Sequence, residues 1–230
     1  KIKSYPSQID LPAKNIDGPT ECGIVESNKI DMTLLKLFAQ KKGITFNAAV
    51  ISFFGILMAR VSGQNRFLVA HPSTQRASGA TSSIIGYFGD LMLIPVEANH
   101  ELSLSSSAEA VHNFLSSEID QPLGIGELAT AMSSLSETDR LVRGQIMISI
   151  QGDQIKPLTF AGKQITVEQV ASQQARADIT LHVLKTEKTL WKLRWEFNNR
   201  KFSLELINRY NKAIKELLLI TLKKPDIPLA

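Results

Sequence analysis

Four histidines, His71, His100, His112 and His182, are the first candidates for metal binding or general-base chemistry. No two of them stand at the short helical spacing that makes a ready metal-ligand pair, so a metal site would need ligands converging from four separate elements. Cys22 is the single cysteine; it lies in an apolar stretch, has no base beside it and reads as an inert thiol. Gly124-Ile-Gly126 is not a dinucleotide fingerprint, because no strand precedes it and the third glycine is missing. Neither a Walker-type phosphate loop nor a Gly-x-Ser-x-Gly elbow occurs. Serines are plentiful, so counting leaves a Ser-His-Asp triad open, but nothing in the spacing nominates a particular serine. His182 sits in an alternating strand pattern and reads as structural. No catalytic residue and no metal ligand is assigned in this chain.

The elements that would position any site are easier to read. Residues 1–20 hold Pro6, Pro12, Gly18 and Pro19 with little periodicity and read as a linker. A short strand over Glu21 to Ser27 follows, then a helix capped by Asp31, with Leu34, Leu35, Leu37 and Phe38 as its apolar face and Gly43 as its stop. Thr45 caps a second helix, Phe46 to Val61. That helix is apolar nearly all round and must be covered on several sides. Ser62-Gly63-Gln64 ends it. Arg66 to Ala70 is a buried strand closed by His71-Pro72, Ser73 to Ser83 a polar loop, and Leu91 to Val96 another strand. Ser105 to Ser107 cap a helix with Val111, Phe114, Leu115 and Ile119 on one face, and a shorter helix spans Gly126 to Met132. Gln145 to Gln151 and Gln164 to Val170 are strands. Asp178 to Lys185 and Leu190 to Asn198 form an antiparallel pair across a tight turn. The last helix, Ser203 to Leu222, turns Leu206, Ile207, Tyr210, Ile214, Leu217 and Leu218 inward. The fold class is α/β, a two-layer sandwich of long helices on a mixed sheet.

Composition sets the outer bounds. The 230 residues are 43% hydrophobic and 21% charged, which suits a globular chain with a sizeable core and excludes disorder, collagen and coiled coil. One cysteine excludes a disulfide framework. The run Ala48 to Ala59 is too short to cross a bilayer, no signal sequence is visible, and a cytoplasmic location is the expectation. The net charge of +4 gathers from Lys185 onward, but Glu187, Glu196, Glu205 and Glu216 interrupt it. We therefore expect no nucleic-acid or membrane partner; the basic residues form a solvated face or a docking surface for an acidic protein.

Five segments, in order, resemble the condensation domains of nonribosomal peptide synthetases. Arg60-Val-Ser-Gly63-Gln64, the strand from Phe67, Pro72 and Arg76 are similar to a stretch in which a long helix ends at Ser-Gly-Gln before a strand, a Pro and an Arg. Ile85-Gly86-Tyr87-Phe88-Gly89-Asp90-Leu91 resembles Ile-Gly-x-Phe-Val-Asn-Thr, with Gly89 in place of Val and Asp90 in place of Asn. Asp120-Gln121-Pro122-Leu123 resembles Gln-Asp-Leu-Pro. Gln145 to Gln151 is similar to Phe-Gln-Val-Met-Phe-x-x-Gln. Asp178-Ile-Thr-Leu with Trp195-Glu196-Phe197-Asn198 resembles the pair before the family's final helix. The family's His-His-x-x-x-Asp-Gly motif is missing, since no two histidines are adjacent.

The resemblance implies a chloramphenicol-acetyltransferase-like fold and the carboxy-terminal half of a condensation domain: residues 1–20 a linker from an amino-terminal half, 21–222 the subdomain, 223–230 a tail. It implies amide formation between a donor thioester and an acceptor amine, with tunnel wall and carrier docking supplied here and the histidine supplied elsewhere. The partners implied are the amino-terminal half and the donor and acceptor carrier proteins. Their phosphopantetheine arms act as substrates, and no cofactor is bound by this chain. Gln151, Asp90 and Arg76 are the candidates for polar positions at the tunnel or seam. Two other readings stay open: a non-catalytic half-domain that docks carrier proteins or neighbouring domains, and a heterocyclization-type relative, to which Leu91-Met-Leu-Ile stands somewhat closer.

Overall fold

The computed structural model describes residues 5–6, 8–14, 17–18, 21–74, 84–86, 89–99, 101–117, 145–152, 158–165 and 173–228. Thirteen elements follow in chain order: β1 Cys22–Glu26, β2 Ile30–Asp31, α1 Thr33–Lys42, α2 Phe46–Ser62, β3 Arg66–Thr74, β4 Gly89–Glu97, α3 Leu104–Ser117, β5 Ile146–Gln151, β6 Leu158–Phe160, β7 Lys163–Ile165, β8 Ile179–Lys185, β9 Leu190–Asn198 and α4 Leu204–Thr221.

Local chemistry sets the helix ends. Thr45 Oγ1 accepts from Ala48 N at 3.2 Å and opens α2, and Gly63 closes it at φ 70°, a left-handed conformation that costs glycine little. The N-cap of α1 is Met32, without a side-chain cap, and not Asp31, which accepts from Thr33 N at 2.8 Å just ahead of the helix; Ser203 accepts from Leu206 N at 3.2 Å and starts α4. The cap of α3 is Ser103, not Ser105 to Ser107. Ser106 N donates to Ser103 Oγ at 3.1 Å and Ser103 N to Ser106 Oγ at 2.9 Å, a reciprocal box that leaves Ser105 free to turn inward, where it is buried.

The main sheet runs β1-β9-β8-β5-β3-β4, with β2 added beside β1 on β9. β5 pairs in parallel with β3 and β8, and the other pairs are antiparallel, so the sheet is mixed. Strand alternation splits its residues between two faces. Ile146, Ile148, Leu181, Val183, Leu193 and Trp195 join the buried residues of all four helices in one core cluster. The opposite face carries a smaller cluster of Tyr5, Leu68, Ala70, Leu93 and Met147, and no helical residue belongs to it. The four described helices lie on one face of the sheet and no described helix lies on the other, the helix-free face. Inside the larger core, α2 is buried from Ala48 through Ala59, as an all-round apolar helix must be.

Three expectations need correction. β3 does not end at His71-Pro72 but continues to Thr74 against β4. Pro72 is tolerated because the recorded pairing of β3 with β5 is confined to Ala70–Met147, so its missing N–H breaks no ladder there. On α1, Leu35 and Phe38 are buried while Leu34 is 60% and Leu37 55% exposed; the helix meets the core along a narrow stripe. Of the strand expected over Gln164 to Val170, residues 164–165 fall in β7, which pairs with β6, and residues 166–170 lie outside the described residues. The amino-terminal stretch, read as linker, is anchored: Tyr5 and Ile9 are buried, Ile9 N donates to Gln145 Oε1 at 3.0 Å, and Lys14 N donates to Lys201 O at 2.7 Å. The helix expected at Gly126 to Met132 lies outside the described residues.

Candidate functional site

The helix-free face of the sheet gathers the polar chemistry. Register puts Arg194 of β9 opposite His182 of β8, and Ser149 of β5 beside His182, so the three share one level across three neighbouring strands. Glu196, diagonal to His182 on the same face, brings Oε2 within 3.3 Å of His182 Nε2. Thr180, directly opposite Glu196, is buried with it, as is Ser149. Burial holds the His182 imidazole below its ordinary pKa, against the pull of Glu196, and Arg194 and Arg176 add to the lowering. His182 is therefore neutral in neutral solution.

Beyond His182, Glu26 of β1 accepts from Arg194 Nε at 2.7 Å and also pairs with Lys192. Both cations hold its carboxyl below the usual range. Cys22 lies at the same edge, its thiol pushed up by burial and by Glu196, which keeps it protonated and unreactive. The other described histidines serve structure. His71 Nδ1 lies 2.9 Å from Ile148 O, and His112 Nδ1 receives Thr45 N at 3.4 Å. Among the described residues no three His, Cys, Asp or Glu come together, and no single helix is long and apolar enough to cross a membrane. An apolar crevice lined by Ile30, Met32, Leu35, Val50, Phe53 and Leu193 adjoins the main core, and Lys215 is the one charged residue in its lining.

Of the three candidates read from sequence, Gln151 is exposed at the end of β5 on the helix-free face, opposite Leu184. Asp90 is the second residue of β4, opposite Ser73, and accepts from its own neighbour, Leu91 N, at 2.7 Å. Register brings Gln151 and Asp90 to the same end of the sheet, two strands apart, but on opposite faces. Arg76 lies outside the described residues. The row of Arg194, His182 and Ser149 was missed because its members lie in three strands and only pairing aligns them. The alternation in 179–185 and 190–198 was the one signal that could have placed His182 and Arg194 on a common face.

The profile of the condensation domain matches residues 6–230. The chain belongs to the condensation-domain family. Surfactin synthase subunit 1 of Bacillus subtilis (strain 168) is 23% identical over 231 residues, which are 100% of this chain and 6% of that synthetase. Among solved structures, the first condensation domain of the calcium-dependent antibiotic synthetase, in complex with a substrate analogue, superposes with a TM-score of 0.78 at 13% identity; the match covers 99% of this chain and 50% of that one. The X-domain of teicoplanin biosynthesis, in complex with OxyB, gives a TM-score of 0.80 at 9% identity over 99% of this chain and 52% of that one. This condensation-family chain thus spans about half the length of either solved chain and a small part of the synthetase. Its helix-on-sheet architecture is the chloramphenicol-acetyltransferase-like fold.

Proposed function

We propose that this chain is the carboxy-terminal half of a condensation domain that joins a donor acyl or peptidyl thioester to an acceptor amine in nonribosomal peptide synthesis. The observation that carries the reading is the family match over residues 6–230, spanning about half of a solved condensation domain, in a chain with no adjacent histidines. The helix-free sheet face is in keeping with it, because a two-lobed domain needs one face of each lobe to turn toward the other. In the reaction, the amine nitrogen attacks the thioester carbonyl, the C–S bond breaks, the thiol leaves with a proton and an amide forms. This half contributes a wall that excludes water and orients two phosphopantetheine arms, since orientation supplies a large share of such a rate enhancement. It contributes docking for the donor and acceptor carrier proteins as well. The histidine comes from the amino-terminal half.

Gln151, Asp90 and Arg76 remain the positions we assign to the tunnel or seam, with Gln151 on the face that would meet the other half. The test is reconstitution with loaded carrier proteins. The chain alone should form no amide above the uncatalysed rate, and the matching amino-terminal half should restore turnover. Amide formation by the chain alone would sink the reading. Alanine at Gln151, Asp90 and Arg76 together should slow the reconstituted enzyme; an unchanged rate removes them from the site.

A further inference from the structure

The string Ser62-Gly63-Gln64 does more than end α2: its first two residues aim the third. Gly63 turns left-handed at φ 70°, and Ser62 Oγ donates to Met58 O at 2.7 Å while it accepts from Gln64 N at 3.2 Å. The carboxamide so presented meets the amino-terminal stretch with both of its ends. Oε1 accepts from Asp10 N at 2.8 Å, and Nε2 donates to Gln8 O at 3.4 Å. Between them, Ile9 N donates to Gln145 Oε1 at 3.0 Å. Two glutamines far apart in sequence thus hold three consecutive residues by main-chain groups alone. A neutral carboxamide suits this work, because it offers a donor and an acceptor together. The side chains of the held stretch divide accordingly. Gln8 and Asp10 are exposed, Ile9 enters the larger core, and Tyr5 is buried in the smaller cluster on the helix-free face. Between Tyr5 and Ile9 the chain therefore changes face, at the end of the sheet where β3 and β5 begin and β4 stops. Pro6 and Pro12 flank the held residues and lessen the chain entropy that the holding removes.

We propose that Gln64 and Gln145 are positioning residues: they clamp residues 8–10 and so seat Tyr5 in the cluster with Leu68, Ala70, Leu93 and Met147, which gives the helix-free face one fixed shape. The Glu97 bond and the Arg66 contact orient the Tyr5 ring, and the clamp fixes the main chain that carries it. The consequence for the partner rests on the reading of this face as the seam: the amino-terminal half docks on a surface that the clamp keeps in shape.

Amide hydrogen exchange in the 230-residue chain, read by ¹⁵N NMR, tests the clamp. Gln64→Met removes both polar ends at similar size and should speed exchange at Asp10 about tenfold, while the β8–β9 ladder keeps its rates. Gln145→Met should do the same at Ile9. Gln64→Glu, which keeps the acceptor, should leave Asp10 slow. Titration with the amino-terminal half, followed by sedimentation, tests the positioning. Half-saturation should rise several-fold in Gln64→Met and in Tyr5→Ala, and the double variant should bind no more weakly than Tyr5→Ala alone, since the clamp acts through Tyr5. Unchanged exchange at Asp10 in a folded Gln64→Met chain overturns the clamp, and so does equal loss of protection in Gln64→Glu. A clamp that opens without weakening the complex overturns the positioning role, as does a double variant weaker than either single one. If the unaltered chain fails to bind the amino-terminal half while the exchange pattern holds, the half-domain reading falls and the clamp stands.

Discussion

Gly55 lies in the middle of α2, where helix propensity alone favours alanine by about 1 kcal/mol. A Cβ there would meet Val96 Cγ1 at 2.5 Å, and overpacking of that kind costs about 1–3 kcal/mol. Gly55→Ala should therefore lower the urea midpoint in spite of its better propensity; a raised midpoint would mean that α2 does not press on β4 so closely. Asn211 shows the same dependence on its surroundings. Its Oδ1 receives the buried Trp195 Nε1–H at 3.2 Å, and Asn211→Ala would leave that donor unmade at a cost of about 1–3 kcal/mol. Two imidazoles set a pH dependence. His71 and His182 are both held below the ordinary 6.5 by burial, so the unfolded chain binds more protons than the folded one between the folded and unfolded values. Stability contributed by these groups is present above about 6.5 and is lost as pH falls through the lowered values. Denaturation midpoints should drop between pH 7 and pH 5, and His71→Gln with His182→Gln should flatten that drop. Glu196, Arg194 and Arg176 face His182, and a drop that persists unchanged in the double variant belongs to other groups.

At the scale of the element, α1 separates sequence pattern from packing. Leu34, Leu35, Leu37 and Phe38 look equivalent on paper, yet Leu35 is 1% exposed and Leu34 60%. Leu35→Ala should cost about 2–5 kcal/mol, whereas Leu34→Lys and Leu37→Lys should stay within about 0.5 kcal/mol. Equal losses at Leu34 and Leu35, measured by chemical denaturation, would contradict the orientation of the helix. Thr45 contributes through its cap: Thr45→Ala should remove about 1 kcal/mol, and Thr45→Ser should recover most of it. The basic stretch from Lys185 resolves element by element too. Lys192 and Arg194 are taken by Glu26, and Lys201 pairs with Asp178 at 2.8 Å. Arg209 and Lys212 lie beside Glu205 and Glu216 one helical turn away on α4. Charge that is paired in this way is a weak lure for nucleic acid.

For the molecule as a whole, the asymmetry of the sheet is the main feature. One face is covered by the four described helices; against the second, Tyr5 and Ala177 are the described apolar residues outside the sheet that pack there. Tyr5 is held by Glu97, whose Oε1 accepts from its hydroxyl at 2.7 Å, and Arg66 lies over its ring. The amino-terminal stretch therefore reaches the helix-free face at Tyr5. Sedimentation at micromolar concentration should show the chain forming a one-to-one complex with the amino-terminal half in preference to a homodimer. A monomer that ignores that half would favour the reading as a self-sufficient docking module.

The sequence by itself determined what neighbours along the chain decide. The cap at Thr45, the all-round apolar character of α2 and the β8–β9 hairpin were legible because three-to-four-residue capping and strand alternation are local. Order within the sheet was not. β5 lies between β3 and β8 through parallel pairings of residues far apart in sequence, and no local pattern encodes which strand takes that place. The anchoring of Tyr5 on Glu97, separated by 92 residues, was invisible for the same reason. The family's segments were readable as strings and their fold followed, but the row of Arg194, His182 and Ser149 exists only once three strands are in register. A hydrogen-bonding site depends on distances of a few ångströms between side chains, and those distances are fixed by sheet pairing and core packing, not by spacing along the chain.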